Sequence, residues 1–428
     1  MRPFRALLCA LALVAAAPVP VAADTPQGQT VQISTGPDAY LVLNGRRYRG
    51  PFQVTAHEDG LAVVETVGLD AYLEGIREVP FTWDADALKA QVVAARTYLA
   101  WTLSGGRSRD GRRIGYDICA TAACQVYAGV GPVLGQYGYR WRAAVSATSG
   151  EILLYEGEPA RAYYSSTTGG RTRNIEDIWP DSEPAPYLVG VPSTEEQSPF
   201  VAWSFELSAS EMHRLLREAG VAGGKIESVT TRKTEDGDGP WTVEIVSETG
   251  SVTLDTWSLR SKINAAAEIL PERLPATSPE GRVYPTTILS PEFEIRTENR
   301  TVDFFGYDLP IVHYVVEGAG WGHLIGMSQF GAQALASRGA TYTEILAHYY
   351  GGLTPVPGQG HLPDQVSVGL VVGADSVSID SRSLIGVSLD GEPLDSGNPG
   401  AWRFVWRDGE IHVYPPPAGI PLIRSGRV

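Results

Sequence analysis

Cysteine, positive charge and long apolar stretches are scarce in this chain of 428 residues. Aspartate and glutamate number 49 against 34 lysines and arginines, and the formal net charge at pH 7 is −15. Sequence-independent binding to nucleic acids or anionic lipids requires cationic surfaces, so this composition disfavours both. Apart from one run at the N-terminus, no apolar stretch is long enough to cross a bilayer. We therefore predict no nucleic-acid partner and no membrane span.

The N-terminal apolar run has the form of a secretory signal peptide. Arg2 and Arg5 precede LLCALALVAAAPVPVAA, and the small residues Val21-Ala22-Ala23 form a cleavage site before Asp24. The sequence thus predicts a signal peptide over residues 1–23 and a secreted, extracytoplasmic protein.

Of the three cysteines, Cys9 lies in this run, which leaves Cys119 and Cys124. A closely spaced pair in an exported protein is most simply a disulfide. The alternative, a zinc site, would need further ligands, and Asp117 is the only obvious donor nearby. Phosphate-loop, Rossmann and H-E-x-x-H patterns are absent. We predict a disulfide, no metal and no cofactor.

Alternating and helical patterns both occur, which indicates an α+β fold. Asn44-Gly45 is a hairpin turn signal, a helix is predicted from Asp84 to Gly105-Gly106, and residues 141–164 alternate as strands. Residues 354–363 are rich in proline and glycine and are predicted to link a main domain, residues 24–353, to a small β-rich C-terminal unit, residues 364–428.

Glu78 is the first candidate for chemistry. It stands between Arg77 and the largely apolar stretch VPFTW, at the junction of a predicted strand and the helix that carries Lys89 and Arg96. Poor solvation of the charged form raises a carboxyl pKa, which suits a general acid. The ordinary alternatives are a surface carboxylate in a turn for Glu78 and a solvated helix face for the two cations.

The second candidate is the segment GAGWGHLIGMSQ, residues 318–329. Closely spaced glycines allow the backbone to approach a ligand or a neighbouring strand. Trp321 offers an aromatic face to a sugar ring, and His323 is adjacent to it. The alternative is a tight core junction in which His323 is structural.

Together these motifs resemble the SpoIID/LytB family of stage II sporulation protein D and the amidase enhancer LytB. Four blocks match in order: YLxG…E-x-P-x-[ST]-W…ALKAQ-VAARTY at residues 72–98, C-x4-C-Q at 119–125, S-T-[ST]-GG…EDxW…PYL at 166–188, and GxGWGHxxGMSQxGA…EIL-HYY at 318–350. The resemblance covers roughly residues 40–352.

The resemblance implies a two-lobed domain with a groove between the lobes, and bacterial cell-wall work connected with sporulation. It implies a lytic transglycosylase that cleaves the bond between N-acetylmuramic acid and N-acetylglucosamine in peptidoglycan glycan strands. Glu78 matches the family's catalytic glutamate. The positions implied to bind substrate are Lys89, Arg96, Ser166, Thr167, Tyr187, Trp321, His323 and Gln329.

Two alternatives remain open. One is a non-catalytic amidase enhancer or wall-binding module, whose partner would be a cell-wall amidase. The other is a paired-carboxylate hydrolase, with Asp117, Glu176 or Asp177 as the second carboxylate. The sequence also departs from the family pattern: the approach to Glu78 is two residues shorter, Leu324 replaces the usual glycine after the histidine, and Ala123 replaces a histidine before the second cysteine. Val189 follows PYL, where a basic residue is common.

Overall fold

The computed structural model describes residues 28–195, 197–233, 241–270, 276–279, 281–284, 286–305, 307–394 and 398–416. The predicted signal peptide lies outside the described residues. Among the helices that are described, none combines the length and the apolar character needed to cross a membrane.

The fold mixes helices and strands, as the sequence patterns predict. In the first half of the chain the elements are β1 (Thr30–Thr35), β2 (Leu41–Leu43), β3 (Arg46–Tyr48), β4 (Phe52–His57), β5 (Gly60–Gly68), α1 (Leu69–Glu74), α2 (Ala85–Trp101) with a π-helical turn (Thr102–Gly106), α3 (Arg109–Ile114), β6 (Ile118–Cys119), α4 (Gly131–Leu134), α5 (Gly138–Ala147), β7 (Glu151–Ile152), β8 (Leu154–Tyr155), β9 (Glu158–Pro159), β10 (Tyr164–Ser165), α6 (Ile175–Ile178) and β11 (Ala202–Ser208).

In the second half they are α7 (Ala209–Glu218), β12 (Ile226–Arg232), β13 (Thr242–Ser247), β14 (Gly250–Asp255), α8 (Thr256–Ile269), β15 (Phe293–Phe304), β16 (Tyr307–Ala319), β17 (Met327–Ser328), α9 (Gln329–Ser337), α10 (Tyr342–Tyr349), β18 (Val356–Pro357), β19 (Gln365–Ala374), β20 (Ser376–Ser381), β21 (Ile385–Leu389), β22 (Glu392–Pro393), β23 (Gly400–Arg407) and β24 (Glu410–Tyr414).

The C-terminal strands complete sheets that the N-terminal strands begin. One sheet has the order β22-β21-β1-β4-β5-β19-β6, and another has the order β24-β23-β20-β2-β3. Val31 pairs with Leu389, and Val366 with Val67. The strands predicted in residues 364–428 are therefore present, but the prediction of a separate C-terminal unit is wrong. A strand at the edge of a sheet has unpaired backbone N–H and C=O groups. Here strands from the opposite end of the chain pair with those groups.

Helix α2 occupies the centre of the molecule and is buried along most of its length. Its many alanines have small side chains, which allow α5, α9 and α10 to pack closely around it. Asp84 is its N-cap residue, and the carboxylate accepts hydrogen bonds from Gln333 Nε2 (2.7 Å) and Ser337 Oγ (2.8 Å). These bonds connect the start of α2 to α9.

The strands predicted over residues 141–164 begin too early, since residues 138–147 form helix α5. Trp141, Ala144 and Val145 are its buried residues apart from Gly138, and their spacing of three and four is helical. Trp141 also stacks on Phe81, with ring centroids 5.1 Å apart. Burial of this one face outweighs the alternation that predicted a strand.

Three large hydrophobic cores hold the described residues together. The first lies between α2 and the two sheets that combine N-terminal and C-terminal strands. The second is formed by buried side chains from β11 to β16. The third lies among α2, α6, α9 and α10. The resemblance implies two lobes, whereas the buried side chains divide into three such cores.

Candidate active site

A cavity of about 560 Å³ opens where the three cores meet. Trp83 belongs to the edge of the first core, Trp321 to the edge of the second, and Trp179 and Trp257 to the edge of the third. This volume lies within the range of about 300–1,000 Å³ that is usual for ligand sites. Nine of the residues on its wall are aromatic: Trp83, Tyr98, Tyr163, Tyr164, Trp179, Phe200, Trp257, Trp321 and Phe330.

Glu78 lines this cavity and is held by the segment that follows the disulfide loop. The Arg77 N–H donates to Val126 O (2.8 Å), and the Val126 N–H donates to Glu78 Oε1 (2.6 Å). Gly75 permits this approach, because a Cβ there would lie 2.3 Å from the ring of Tyr127. The backbone around Glu78 is thus fixed by contacts with residues 126–129.

Burial raises the pKa of Glu78 above its ordinary value. Two hydrogen bonds to the carboxylate act in the opposite direction, one from the Val126 N–H and one from the Tyr164 hydroxyl (3.4 Å), but burial is the larger effect. The protonated carboxyl therefore persists to higher pH than in an exposed glutamate. A neutral carboxyl at the wall of a cavity can donate a proton to a bound ligand.

A buried hydrogen-bond chain orients Tyr164 towards Glu78. The Tyr72 hydroxyl donates to Gln125 Oε1 (2.5 Å), and Gln125 Nε2 donates to the hydroxyl oxygen of Tyr164 (3.0 Å) and to Ala95 O (3.1 Å). Because Tyr164 accepts from Gln125, its own proton is free to point to Glu78. Gln125 is the last residue of the C-x4-C-Q motif, although the sequence alone assigned it no role.

Five of the residues predicted to act in catalysis or substrate binding line this cavity: Glu78, Ser166, Trp321, His323 and Gln329. The glycine-rich segment brings the last three into place, because it lies against β10. A Cβ at Gly322 would lie 2.5 Å from Cβ of Ser165, and one at Gly326 would lie 2.1 Å from Tyr163 O. The interpretation that these glycines permit close backbone approach therefore holds.

Arg96 does not reach the cavity, which contradicts its predicted contact with substrate. Its side chain is fully buried and donates to Thr148 Oγ1 (3.4 Å), Glu151 O (3.1 Å) and Val145 O (3.4 Å). Burial lowers the pKa of Arg96 to about 10, which leaves it charged at neutral pH. The residue ties α2 to the end of α5 and the start of β7.

Lys89 also lies away from the cavity. Its ammonium group pairs with Asp86 (3.4 Å) and lies 5.5 Å from the ring centre of Tyr342. Arg96 packs against protein, whereas Lys89 stays partly exposed to solvent. The equivalence with family positions did not reveal these surroundings.

Thr167 and Tyr187 are buried structural residues in this fold. The Thr167 hydroxyl lies 2.6 Å from Ser198 Oγ, and the Thr167 backbone pairs with Trp321. The Tyr187 hydroxyl accepts from the Arg161 N–H (3.1 Å). Neither lines the cavity, so their predicted contacts with substrate are not supported.

Glu195 is a residue that sequence reasoning missed. Its buried carboxylate accepts hydrogen bonds from Thr168 N (2.9 Å), Thr168 Oγ1 (2.6 Å), Gly169 N (2.9 Å), Ser193 Oγ (2.8 Å) and Ser328 Oγ. Apart from Ser193, these donors come from the two motifs that supply Ser166 and Gln329 to the cavity. Glu195 therefore fixes one wall of the site, and its isolated position in the sequence offered no signal.

His323 is neutral in this setting. Burial, with a contribution from Arg260, lowers its pKa to about 4. Its Nδ1 accepts from the Ile325 N–H (3.1 Å), and its ring lies 5.3 Å from that of Trp179 between centroids. A neutral imidazole among aromatic rings serves to shape the wall and cannot supply a fixed positive charge.

Leu324 occupies the position at which the family pattern has glycine, and its φ is +66°. This left-handed conformation is unfavourable for a leucine. The side chain is fully buried, and a Cβ at Gly320 would lie 3.0 Å from Leu324 Cδ2. Packing of the isobutyl group therefore compensates for the backbone conformation.

Cys119 and Cys124 form a disulfide, and Cys124 lines the cavity. Within the described ranges no cluster of three or more histidine, cysteine, aspartate or glutamate side chains could hold a metal ion. Ala123, at the position where the family often has histidine, lines the same wall.

Glu78 is the one carboxyl on the cavity wall in the described part of the chain. Asp117 instead pairs with Arg107 (2.5 Å) and accepts from Ser367 N (2.9 Å). Glu176 and Asp177 lie on α6 and are not part of the wall. This arrangement does not support a paired-carboxylate hydrolase, which needs two carboxyls about 5–9.5 Å apart across the substrate.

Comparison with known proteins agrees with the motifs. The family described as "SpoIID: Stage II sporulation protein" matches residues 57–155. A relative named "Amidase enhancer" from Bacillus subtilis (strain 168) is 30% identical over 307 residues, which cover 66% of this chain and 40% of that protein. "Stage II sporulation protein D" of the same organism is 26% identical over 71% of this chain and 78% of its own length.

An uncharacterized protein of Brachyspira hyodysenteriae is 27% identical over 73% of each chain. The family match includes Glu78 and α2, and the longer alignments extend well beyond it. The chain belongs to the SpoIID/LytB family of stage II sporulation protein D and the amidase enhancer.

Proposed function

We propose that this protein is an exported, cell-wall-associated lytic transglycosylase that cleaves peptidoglycan glycan strands, with Glu78 as the general acid. Membership of the family supports a role in the cell wall. The observation that carries the enzymatic proposal is the position of Glu78: a carboxyl with a raised pKa on the wall of an aromatic cavity.

The proposed reaction needs one carboxyl. Glu78 gives its proton to the oxygen that links N-acetylmuramic acid to N-acetylglucosamine, and the bond from that oxygen to C1 of the muramic acid breaks. The C6 hydroxyl of the same muramic acid bonds to C1 and loses its proton to the Glu78 carboxylate. The products are a 1,6-anhydro end and a free N-acetylglucosamine end, and Glu78 is protonated again.

The cavity wall suits a sugar chain. Trp83, Trp179, Trp257 and Trp321 present flat apolar surfaces, and Ser166 and Gln329 supply hydrogen-bonding groups. An aromatic wall with few polar groups also limits the access of water that would compete with the C6 hydroxyl.

The test is product analysis on purified glycan strands. We expect anhydro-muramic ends with the wild-type protein and a loss of at least about 100-fold in rate with Glu78→Gln, the lower range for general acid catalysis. Glu227→Gln, at an exposed position on β12, is the matched control and should leave the rate unchanged. Reducing ends instead of anhydro ends, or full activity of Glu78→Gln, would contradict the proposal.

The second candidate is a non-catalytic amidase enhancer. It is favoured by the 30% identity to a protein of that name, although this chain spans only 40% of that relative's length. In that case the wild-type protein and Glu78→Gln would both fail to cleave strands and would both stimulate an added cell-wall amidase equally.

A further inference from the structure

A second cavity, of about 650 Å³, lies beside the catalytic one. We call it the arginine cavity, because Arg46, Arg47 and Arg77 line it. Arg77 and Pro80 belong to the walls of both cavities. A polymer bound at Glu78 can therefore extend across Arg77 into the arginine cavity without leaving the surface.

The charge in this cavity is of one sign. All three arginines are exposed, and the part of its wall that the structure describes contains no aspartate or glutamate. Among the described residues, no carboxylate forms an ion pair with Arg47 or Arg77. Such a concentration of uncompensated cations stands out in a chain with a formal net charge of −15.

The backbone that carries Arg46 and Arg47 is held by a tight turn and by hydrogen bonds to a neighbouring segment. Asn44 and Gly45 form the turn of the β2–β3 hairpin, with φ of 51° and 73°, and Arg46 and Arg47 follow directly. Val130 N donates to Arg47 O (2.9 Å), and Arg46 Nη1 donates to Tyr127 O (3.4 Å). The hairpin is thus fixed to the same segment, residues 126–130, that holds Glu78.

Large apolar side chains accompany the cations. Leu134 and Tyr137 line the cavity and are 48% and 42% exposed. An apolar platform beside guanidinium groups fits a sugar ring that bears an anionic substituent, since guanidinium binds carboxylates through paired hydrogen bonds.

We propose that the arginine cavity is a subsite for a carboxylate borne by the substrate strand, next to the bond that Glu78 cleaves. This proposal rests on the proposed function. Each N-acetylmuramic acid has a lactyl ether at O3 that ends in a carboxyl group. The carboxylate is either that lactyl group, when no peptide is attached, or a carboxylate of the attached peptide.

The test measures binding in a Glu78→Gln background, in which the strand is not cleaved. The ligands are peptide-free oligosaccharides containing muramic acid, the same oligosaccharides with methyl-esterified carboxyls, and peptide-bearing oligosaccharides of equal length. We expect esterification to weaken binding at least about 10-fold, because a hydrogen bond to a charged group contributes about 1.5–3 kcal/mol. Two of the ligands are charged, the peptide-free and the peptide-bearing oligosaccharides. The one that binds more tightly identifies the source of the carboxylate.

Arg46→Gln and Arg47→Gln should each weaken binding of the charged oligosaccharide about 10-fold and leave the ester unaffected. Arg46→Lys keeps the charge but loses the paired hydrogen bonds, so its affinity for the charged oligosaccharide should lie between those of wild type and Arg46→Gln. Arg217→Gln, on α7, removes an equal charge at an exposed position and is the control. Thermal melting of each variant separates loss of binding from loss of folding.

Equal affinity for the charged and esterified ligands would overturn the subsite, as would an equal effect of the arginine variants on both. These results are independent of cleavage. If the wild-type protein yields anhydro ends but its affinity does not depend on the carboxylate, only the subsite proposal is refuted. If charge-dependent binding is found without cleavage, the transglycosylase proposal fails and the subsite remains.

Discussion

The Tyr164 hydroxyl donates a hydrogen bond to Glu78 Oε1 over 3.4 Å, although 86 residues separate the two in the chain. This bond stabilises the charged carboxylate and so opposes the effect of burial on the Glu78 pKa. The pKa of the proposed acid therefore depends on a balance that single substitutions can shift.

Tyr164→Phe removes a donor that stabilises the charged carboxylate, so it should raise the pKa of Glu78 further. A general acid acts in its protonated form, so the limb on which cleavage declines with rising pH should move to higher pH. The measurement is the pH profile of kcat/KM on glycan strands. Tyr139→Phe, at an exposed position, should not move the limb. A shift to lower pH would show that Tyr164 does not stabilise the carboxylate.

Glu65 should make the protein less stable as pH rises. Its carboxyl is fully buried and accepts from the Tyr127 hydroxyl, and burial raises its pKa to about 7. Because the folded-state pKa exceeds the unfolded one, the stabilisation is complete below about pH 4.5 and is lost as pH rises to about 7. The loss is on the order of 3 kcal/mol.

Glu65→Gln removes this titration, and its amide can still bond with Tyr127, which would then accept. The free energy of unfolding, measured with denaturant between pH 4.5 and 7, should therefore change less with pH in the variant than in wild type. Parallel pH dependences in the two proteins would mean that another group is responsible.

Arg96→Met should destabilise the fold by on the order of 3 kcal/mol, because it leaves the buried acceptors Val145 O and Thr148 Oγ1 without their donor. Lys89→Met should cost less than about 1 kcal/mol, since its ion pair is exposed to solvent. Urea unfolding measures both. Activity per folded molecule should be retained in Arg96→Met at low temperature, and its loss without a change in stability would restore a substrate role for Arg96.

Leu324→Gly should be destabilising even though glycine suits the backbone. Relief of the left-handed conformation stabilises by about 1–2 kcal/mol, whereas removal of a buried leucine side chain costs about 3–5 kcal/mol. We expect a net loss of about 2 kcal/mol by thermal unfolding. Asp408→Gly, at an exposed position with φ of 53°, should be neutral or slightly stabilising. Stabilisation by Leu324→Gly would show that packing does not offset the strain.

Local patterns predicted the elements whose signals are short-range. The Asn44-Gly45 hairpin and helix α2 from Asp84 both occur. In each case the cause lies within a few residues: positive φ at the turn, and an acidic first turn in the helix. The motifs also identified Glu78, and the segment of Trp321 and His323 that faces it across the cavity.

The surroundings of each side chain depended on long-range packing. Arg96 and Lys89 lie on the helix that carries the family motif, but contacts with α5 and β7 enclose Arg96, and Tyr342 of α10 lies beside the partly exposed Lys89. Glu195 had no local signal, because its donors come from segments up to 133 residues away.

The presence of a carboxyl among apolar and aromatic residues follows from the amino-acid sequence. Its raised pKa, its hydrogen bond from Tyr164, and the cations beside it follow from the meeting of three cores and from sheets that join the two ends of the chain. Burial and charge proximity depend on distances in space, and these are set by contacts between residues far apart in the chain.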